Sequence, residues 1–284
     1  MAGGVGLSAS DRFAMRNLLE LLRARTRGLR HEVARWIYRS PALERGAVYS
    51  YSPFGEDRVV LGWLVEAGVK AENIRYLDIG ASDPLVLNNT MLLYQYGGRG
   101  VLVEPDAEMA GKLKKRRGRD IVIDAAVAFD ARRSAELIRM SSSVFNSFSE
   151  RQVQHIVQSS AGWGAEQSVI ERVEVALIPI NEIIERHCGG VAPHFLSIDA
   201  ESVDFEILQS LDFQRFRPWI ICAESSRPRS AFVDLLQPFG YRSICETPHN
   251  FIFALYPLPK GNPDNRATAS RAVVLLTGPS EAAS

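Results

Sequence analysis

The chain has 284 residues, 46% of them apolar and 23% charged, ordinary proportions for a globular protein that buries a sizeable core. Lys plus Arg and Asp plus Glu each number 33, so no overall charge draws the protein to nucleic acid. Cys188, Cys222 and Cys245 stand far apart with no Cys-x-x-Cys pair, which argues against a disulfide framework and for reduced thiols. No apolar run approaches the roughly 18 residues needed to span a bilayer. Met1 to Ser10 lacks the basic and then apolar pattern of a secretion signal, and a cytoplasmic protein is expected.

From Asp11 to Arg39 a helical stripe of Met15, Leu18, Leu19, Leu22, Leu29, Val33, Trp36 and Ile37 is flanked by arginines. Such a basic amphipathic helix suits a membrane surface or a partner, but apolar stripes more often pack on their own domain or on a second copy of the chain. A homo-oligomer formed through this helix is therefore an expectation. Ser40-Pro41 ends it.

Strands and helices alternate from Ile74 onward. Ile74 to Ile79 reads as a buried strand, Asn89 to Tyr96 as a helix and Gly100 to Val103 as a strand. Glu108 to Arg117 follows as a helix and Ile121 to Ile123 as a strand, with Ser134 to Met140 a candidate edge strand. Ser141 to Glu171 is a polar insertion, rich in Ser and Gln, with no readable period. Val173 to Ile178 alternates as a strand, and Pro179 opens a helix from Asn181 to His187. Strands at His194 to Ile198, Trp219 to Ala223 and Phe251 to Leu255 are separated by helices at Asp204 to Ser210 and Ala231 to Pro238. The pattern predicts an α/β fold with a mostly parallel sheet covered by helices on both faces. One domain is expected over residues 49–258, with a helical extension at 1–48 and a tail at 259–284.

In an open parallel sheet, ligands bind beyond the carboxyl ends of the strands. Asp78, Glu104, Asp199 and Glu224 all fall at that edge, and Asp124 follows a further strand. Core packing alone rarely gathers carboxylates in this way. The first turn, Asp78-Ile79-Gly80-Ala81-Ser82-Asp83-Pro84, has a single glycine, whereas a pyrophosphate needs the Gly-x-Gly-x-x-Gly turn. Asp78 and Asp83 repel phosphate and suit a ligand bearing an ammonium and a sulfonium group, as S-adenosylmethionine does. Glu104, before Pro105, is placed to accept the hydroxyl hydrogens of a ribose. The structural alternative is helix capping, a role open also to Asp83 and Asp106.

These residues resemble the FkbM-type methyltransferases. The likeness is carried by Tyr51-Ser52-Pro53-Phe54-Gly55-Glu56-Asp57, Leu77 to Pro84, Asn89-Thr90 and Arg99 to Pro105. It continues through Leu196 to Leu208, Arg217-Pro218, Ala223-Glu224, Gly240-Tyr241 and Asn250 to Phe253. The resemblance implies a Rossmann-like class I fold with a seven-stranded sheet, S-adenosylmethionine as methyl donor, and O-methylation of a sugar or other small natural product. It implies that Asp78, Gly80 and Ala81 line the methionine end, that Glu104 holds the ribose, and that Asp124 and Ala125 lie by the adenine. Glu56, Asp83 and Pro105 complete the expected cofactor set, and Asp199 and Glu201 face the methyl and the acceptor. Ser202 and Pro53 depart from the family pattern, where Gly and Gln are common.

A hydroxyl acceptor loses a proton, and Asp199 is the first candidate base, Glu201 the second. The same Asp-x-Glu pair is also a weaker candidate for a divalent cation, lacking a third ligand, so no metal is favoured. His155, His187, His194 and His249 show no ligand spacing and read as structural or solvated. The basic run Lys112 to Arg119 reads as the solvated last turn of a helix rather than an RNA-binding surface. An RNA or protein methyltransferase and a non-catalytic domain on the same fold are the competing readings, and a small hydroxylated acceptor is preferred to nucleic acid.

Overall fold

The computed structural model describes residues 50–160, 166–201 and 203–260. The predicted N-terminal stripe and extension, the tail beyond residue 260 and Ser202 lie outside the described residues. Residues 50–135 and 175–260 form one compact unit, and residues 136–160 and 166–174 belong to another.

The described residues begin with α1 (Glu56–Glu66), β1 (Arg75–Ile79), α2 (Met91–Gln95), β2 (Arg99–Val103), α3 (Ala107–Arg116), β3 (Ile121–Ile123) and β4 (Ala126–Ala128). Next come β5 (Ser134–Met140), α4 (Glu150–Ser160), β6 (Val169–Pro179), α5 (Ile180–His187) and β7 (Phe195–Ile198). It closes with α6 (Asp204–Gln209), β8 (Ile220–Glu224), α7 (Arg229–Leu236), β9 (Tyr241–Glu246) and β10 (Asn250–Leu255).

The main sheet has seven strands in the order β3-β2-β1-β7-β8-β10-β9. Strand β10 runs antiparallel to β8 and β9, and the other pairs are parallel. The order reverses direction between β1 and β7, so a crevice opens at their carboxyl ends. Both faces are buried, which is why the central strands are apolar at nearly every position. On one face Leu77, Ile79, Leu196, Ile198 and Ile221 pack with Ile183 and Ile184 of α5, Ile207 of α6 and Phe232 of α7. On the other, Tyr76, Leu102, Phe195, Ile220 and Ile252 pack with Val60 and Leu64 of α1 and Leu113 of α3. Among the described residues no helix is long and apolar enough to cross a membrane.

Two strand assignments need correction. Ser134–Met140 is not an edge of the main sheet; with β4 and β6 it belongs to a separate three-stranded sheet of order β4-β6-β5. Strand β6 is likewise absent from the main sheet. It carries Glu171, Arg172 and Glu174 and is exposed along most of its length, so it does not suit a layer covered on both faces. The second unit gathers Ile138, Met140, Val153 and Ile156 into its own small core, and Arg172 pairs with Glu136 and Glu150. Helix α4 lies inside the stretch read as an unpatterned polar insertion.

Candidate functional site

Hydrogen bonds bring the strand ends together. The amides of Gly80 and Ala81 donate to the Val103 carbonyl at 2.9 and 3.2 Å, and the Asp199 amide donates to the Ile79 carbonyl at 2.9 Å. Gly80 has φ +76°, and a Cβ there would lie 1.8 Å from the Asp199 carbonyl oxygen. The single glycine of this turn therefore serves the close approach of two strand ends.

Asp78, Glu104 and Asp199 share this rim and act on one another electrostatically. They differ in surroundings. Asp78 is buried; its Oδ2 accepts from Thr90 Oγ1 at 2.6 Å, and Ser197 is a second partner. Burial raises its pKa, opposed by Thr90 and by the positive field of Arg117. Glu104 is buried too. Its Oε2 accepts from the Ser82 amide and its Oε1 from the Asp106 amide, each at 2.8 Å. Burial pushes Glu104 up to about 7; the two amides pull the other way, while Asp106 and Asp78 add to the rise. A carboxylate oxygen has two lone pairs, so each retains one for a ligand hydroxyl.

Asp199 alone of the three is partly open to solvent. Its carboxyl is pushed up to about 7, by desolvation first and then by the negative fields of Asp204, Asp78, Glu104 and Glu56. Asp204, at the start of α6, is fully buried; its Oδ1 accepts from the Ala200 amide at 2.6 Å. Burial raises its pKa, and the nearby carboxylate of Glu224 adds to the rise. Ligand oxygens of Asp199, Asp204 and Glu224 all lie within 4.8 Å of one another. Glu201 is not in this group. It sits on the following turn with φ +54°, a left-handed backbone uncommon for a residue with a side chain.

The other predicted positions are more varied. Glu56 is buried and ties α1 to β10: its Oε1 accepts from Thr247 Oγ1 and Asn250 Nδ2, both at 2.9 Å. Asp83 accepts from the Leu85 and Val86 amides, capping a turn, since no helix starts between Asp83 and α2. Asp106 does cap a helix, accepting from the Glu108 and Met109 amides at the start of α3. Ala81 and Ala125 are buried and Pro105 is half-buried. Asp124 is about half exposed and pairs with Lys114. His194 is a core residue: its Nδ1 accepts from the Arg75 amide at 3.0 Å, and its ring meets Trp219 edge-on.

Arg117 was missed altogether. Lys114, Lys115 and Arg116 are exposed as expected, but Arg117 is completely buried. Its Nε donates to Asp120 at 2.8 Å, its Nη1 to Asn88 at 3.2 Å, and its Nη2 to Thr90 at 3.0 Å and Tyr76 at 3.1 Å. Thr90 passes the contact on to Asp78, and Asn88 Nδ2 donates to the carbonyls of Ala81 and Asp83. One guanidinium thus organises the segment from Ala81 to Thr90 beneath the rim. A surface cavity of about 440 Å³ near Arg229, Tyr241 and Tyr256 is lined by none of the rim acids.

Residues 78–243, more than half of the chain, match the family model described as the methyltransferase FkbM domain. No curated protein matches. Among solved structures, a methyltransferase FkbM from Methylobacillus flagellatus KT is 14% identical with TM-score 0.39, over 64% of this chain and 44% of that one. The present chain thus spans less than half the length of that relative. A TehB-like SAM-dependent methyltransferase from Corynebacterium glutamicum is 10% identical with TM-score 0.35, over 80% of this chain and 97% of that one. An O-methyltransferase from Bacillus cereus, in complex with SAH, is 13% identical with TM-score 0.33, over 75% and 85%.

Proposed function

We propose, because this chain belongs to the FkbM methyltransferase family, that it moves the methyl group of S-adenosylmethionine to a hydroxyl of a sugar or another small natural product. The carrying observation is the gathering of Asp78, Glu104 and Asp199 at one rim, beside a turn built for strand contact rather than for a pyrophosphate. A negative rim favours a cationic nucleoside. With one amide on each oxygen, Glu104 keeps lone pairs that in this reading take the two ribose hydroxyls.

In this reading the acceptor oxygen attacks the methyl carbon in line with the departing sulfur. The C–S bond breaks with its electrons on sulfur, leaving a neutral thioether, and the hydroxyl proton leaves to a base. Holding donor and acceptor in that line accounts for about 7–11 kcal/mol of barrier lowering. Asp199 is the base we assign, because of Asp78, Glu104 and Asp199 it is the one open to solvent, where an acceptor arrives; Glu201 on the adjoining turn is the second candidate. Equal numbers of basic and acidic residues favour a small acceptor over nucleic acid, and free Cys188, Cys222 and Cys245 fit a reducing cytoplasm.

The test is a methyl-labelled donor offered with a panel of hydroxylated sugars and natural products. Asp199→Ala should lower turnover of the accepted compound about 10²–10⁴-fold, the usual contribution of a general base, while donor binding persists. Turnover equal to the unaltered chain would remove Asp199 from that role.

A further inference from the structure

We infer that Phe54 and His249 are specificity-determining residues of the acceptor site: their paired rings form a platform for the apolar face of a neutral, saturated ring bearing several hydroxyls, the form of a pyranose. The inference rests on the function proposed above in taking Asp199 as the point where the acceptor hydroxyl arrives.

An exposed phenylalanine alone says little, since much of any protein surface is apolar. Phe54 differs in being both exposed and held. Its side chain is 49% exposed, and its ring centre lies 5.3 Å from that of the exposed His249, with 40° between the ring planes. One buried carboxylate fixes both loops that carry the pair. Glu56 Oε2 accepts from the Phe54 amide at 2.9 Å, while Oε1 accepts from Thr247 and Asn250, on either side of His249. The His249 carbonyl in turn accepts from the Ser225 amide at 2.8 Å. The ordering cost of this platform is therefore met on folding rather than on binding.

The same hydrogen bonds locate the pair. Ser225 follows Glu224, the last residue of β8, and Asn250 lies opposite Glu224 in the β8–β10 register. At its other end the segment from Tyr51 to Glu56 meets the turn after β1, where the Asn88 amide donates to the Tyr51 carbonyl at 2.9 Å. Strand β7, which leads into Asp199, lies between β1 and β8. The segment carrying Phe54 thus borders the rim from the β1 end to the β8 end, and Glu56 acts electrostatically on Asp199.

The surroundings select the occupant. The face of an aromatic ring is electron-rich and attracts C–H groups, which carry slight positive charge. A pyranose presents such hydrogens on its ring face and hydroxyls around its edge. Asp199 and Glu224, both partly open to solvent, are acceptors suited to those hydroxyls and repel a phosphorylated or carboxylated compound. The tilt between the two rings suits a puckered ring, whereas a flat acceptor stacks best between parallel faces.

The experiment is saturation-transfer NMR on the full chain without donor, offering the methyl pyranosides of glucose, galactose and mannose beside phenol. At least one pyranoside is expected to receive saturation, strongest on the C–H hydrogens of one ring face. Its affinity should fall about tenfold in Phe54→Ala, the upper range for an aromatic contact, and return in Phe54→Tyr, which restores the ring. Far-UV circular dichroism checks each fold, and His249→Ala, also expected to bind more weakly, decides the matter if Phe54→Ala does not fold. No saturation of any pyranoside, equal affinity in Phe54→Ala, or a preference for phenol overturns the platform. Since no methyl donor is present, each outcome is independent of whether the chain transfers a methyl group.

Discussion

Replacing Arg117 with leucine is expected to cost about 3–5 kcal/mol of folding free energy, the range for removing one partner of a buried ion pair. The guanidinium and its partner Asp120 are both fully shielded from solvent. Without it, Asp120 keeps the Gly100 amide and the Tyr76 hydroxyl as donors but loses its counter-charge. Asp78, linked to Arg117 through Thr90, loses a field that opposes its desolvation. Urea unfolding followed by circular dichroism measures the loss. Asp120→Asn in the same background should recover part of it, since the two side chains share one network. A loss below about 1 kcal/mol, the scale of an exposed pair, would show that the pair does not hold the segment from Ala81 to Thr90.

Gly80→Ala should be nearly as damaging and should abolish methyl transfer. The left-handed backbone costs a residue with a side chain about 1–2 kcal/mol. The new methyl would also overlap the Asp199 carbonyl, and overpacking of this kind typically adds about 1–3 kcal/mol. The overlapped atom belongs to backbone, so it moves only if the end of β7 moves, taking the Asp199 side chain with it. Thermal unfolding together with the labelled-methyl assay reads both effects. An active protein with an unshifted melting temperature would contradict the close contact of the two strand ends.

The sheet was legible because burial on both faces leaves a strong mark. The apolar run read over Ile74 to Ile79 is realised as β1, and that over Trp219 to Ala223 as β8, each shifted by a residue or so. The acids at the carboxyl edge were legible for the same reason, each interrupting an apolar run at its end. What escaped depends on contacts between distant segments. Asp204 and Glu224 stood out as a helix start and a strand end, but their convergence with Asp199 follows from strand order, which spacing does not encode. Helix α1, with buried Val60 and Leu64 one turn apart, carries a signal too short to separate from a loop. Strand β9 pairs with β10 at a register shift and is only half-buried, so its alternation is blurred.

Arg117 was hidden by its neighbours. In a run of basic residues, the one pointing inward is distinguished only by phase: Arg117 ends α3 as its C-terminal cap, one turn beyond buried Leu113, whose carbonyl its amide meets. Asp124 shows the converse. It stands where a rim acid should stand, but its ion pair with Lys114 gives it a partner at the surface.

Calorimetry with S-adenosylmethionine, on the unaltered chain and on Glu104→Ala, tests most directly whether the carboxylate rim is a donor pocket. Saturable binding is expected, weakened in Glu104→Ala by at least about 1.5 kcal/mol, roughly tenfold, as for lost hydrogen bonds to a charged group. No binding by the unaltered chain, or equal affinity in the two proteins, would contradict it.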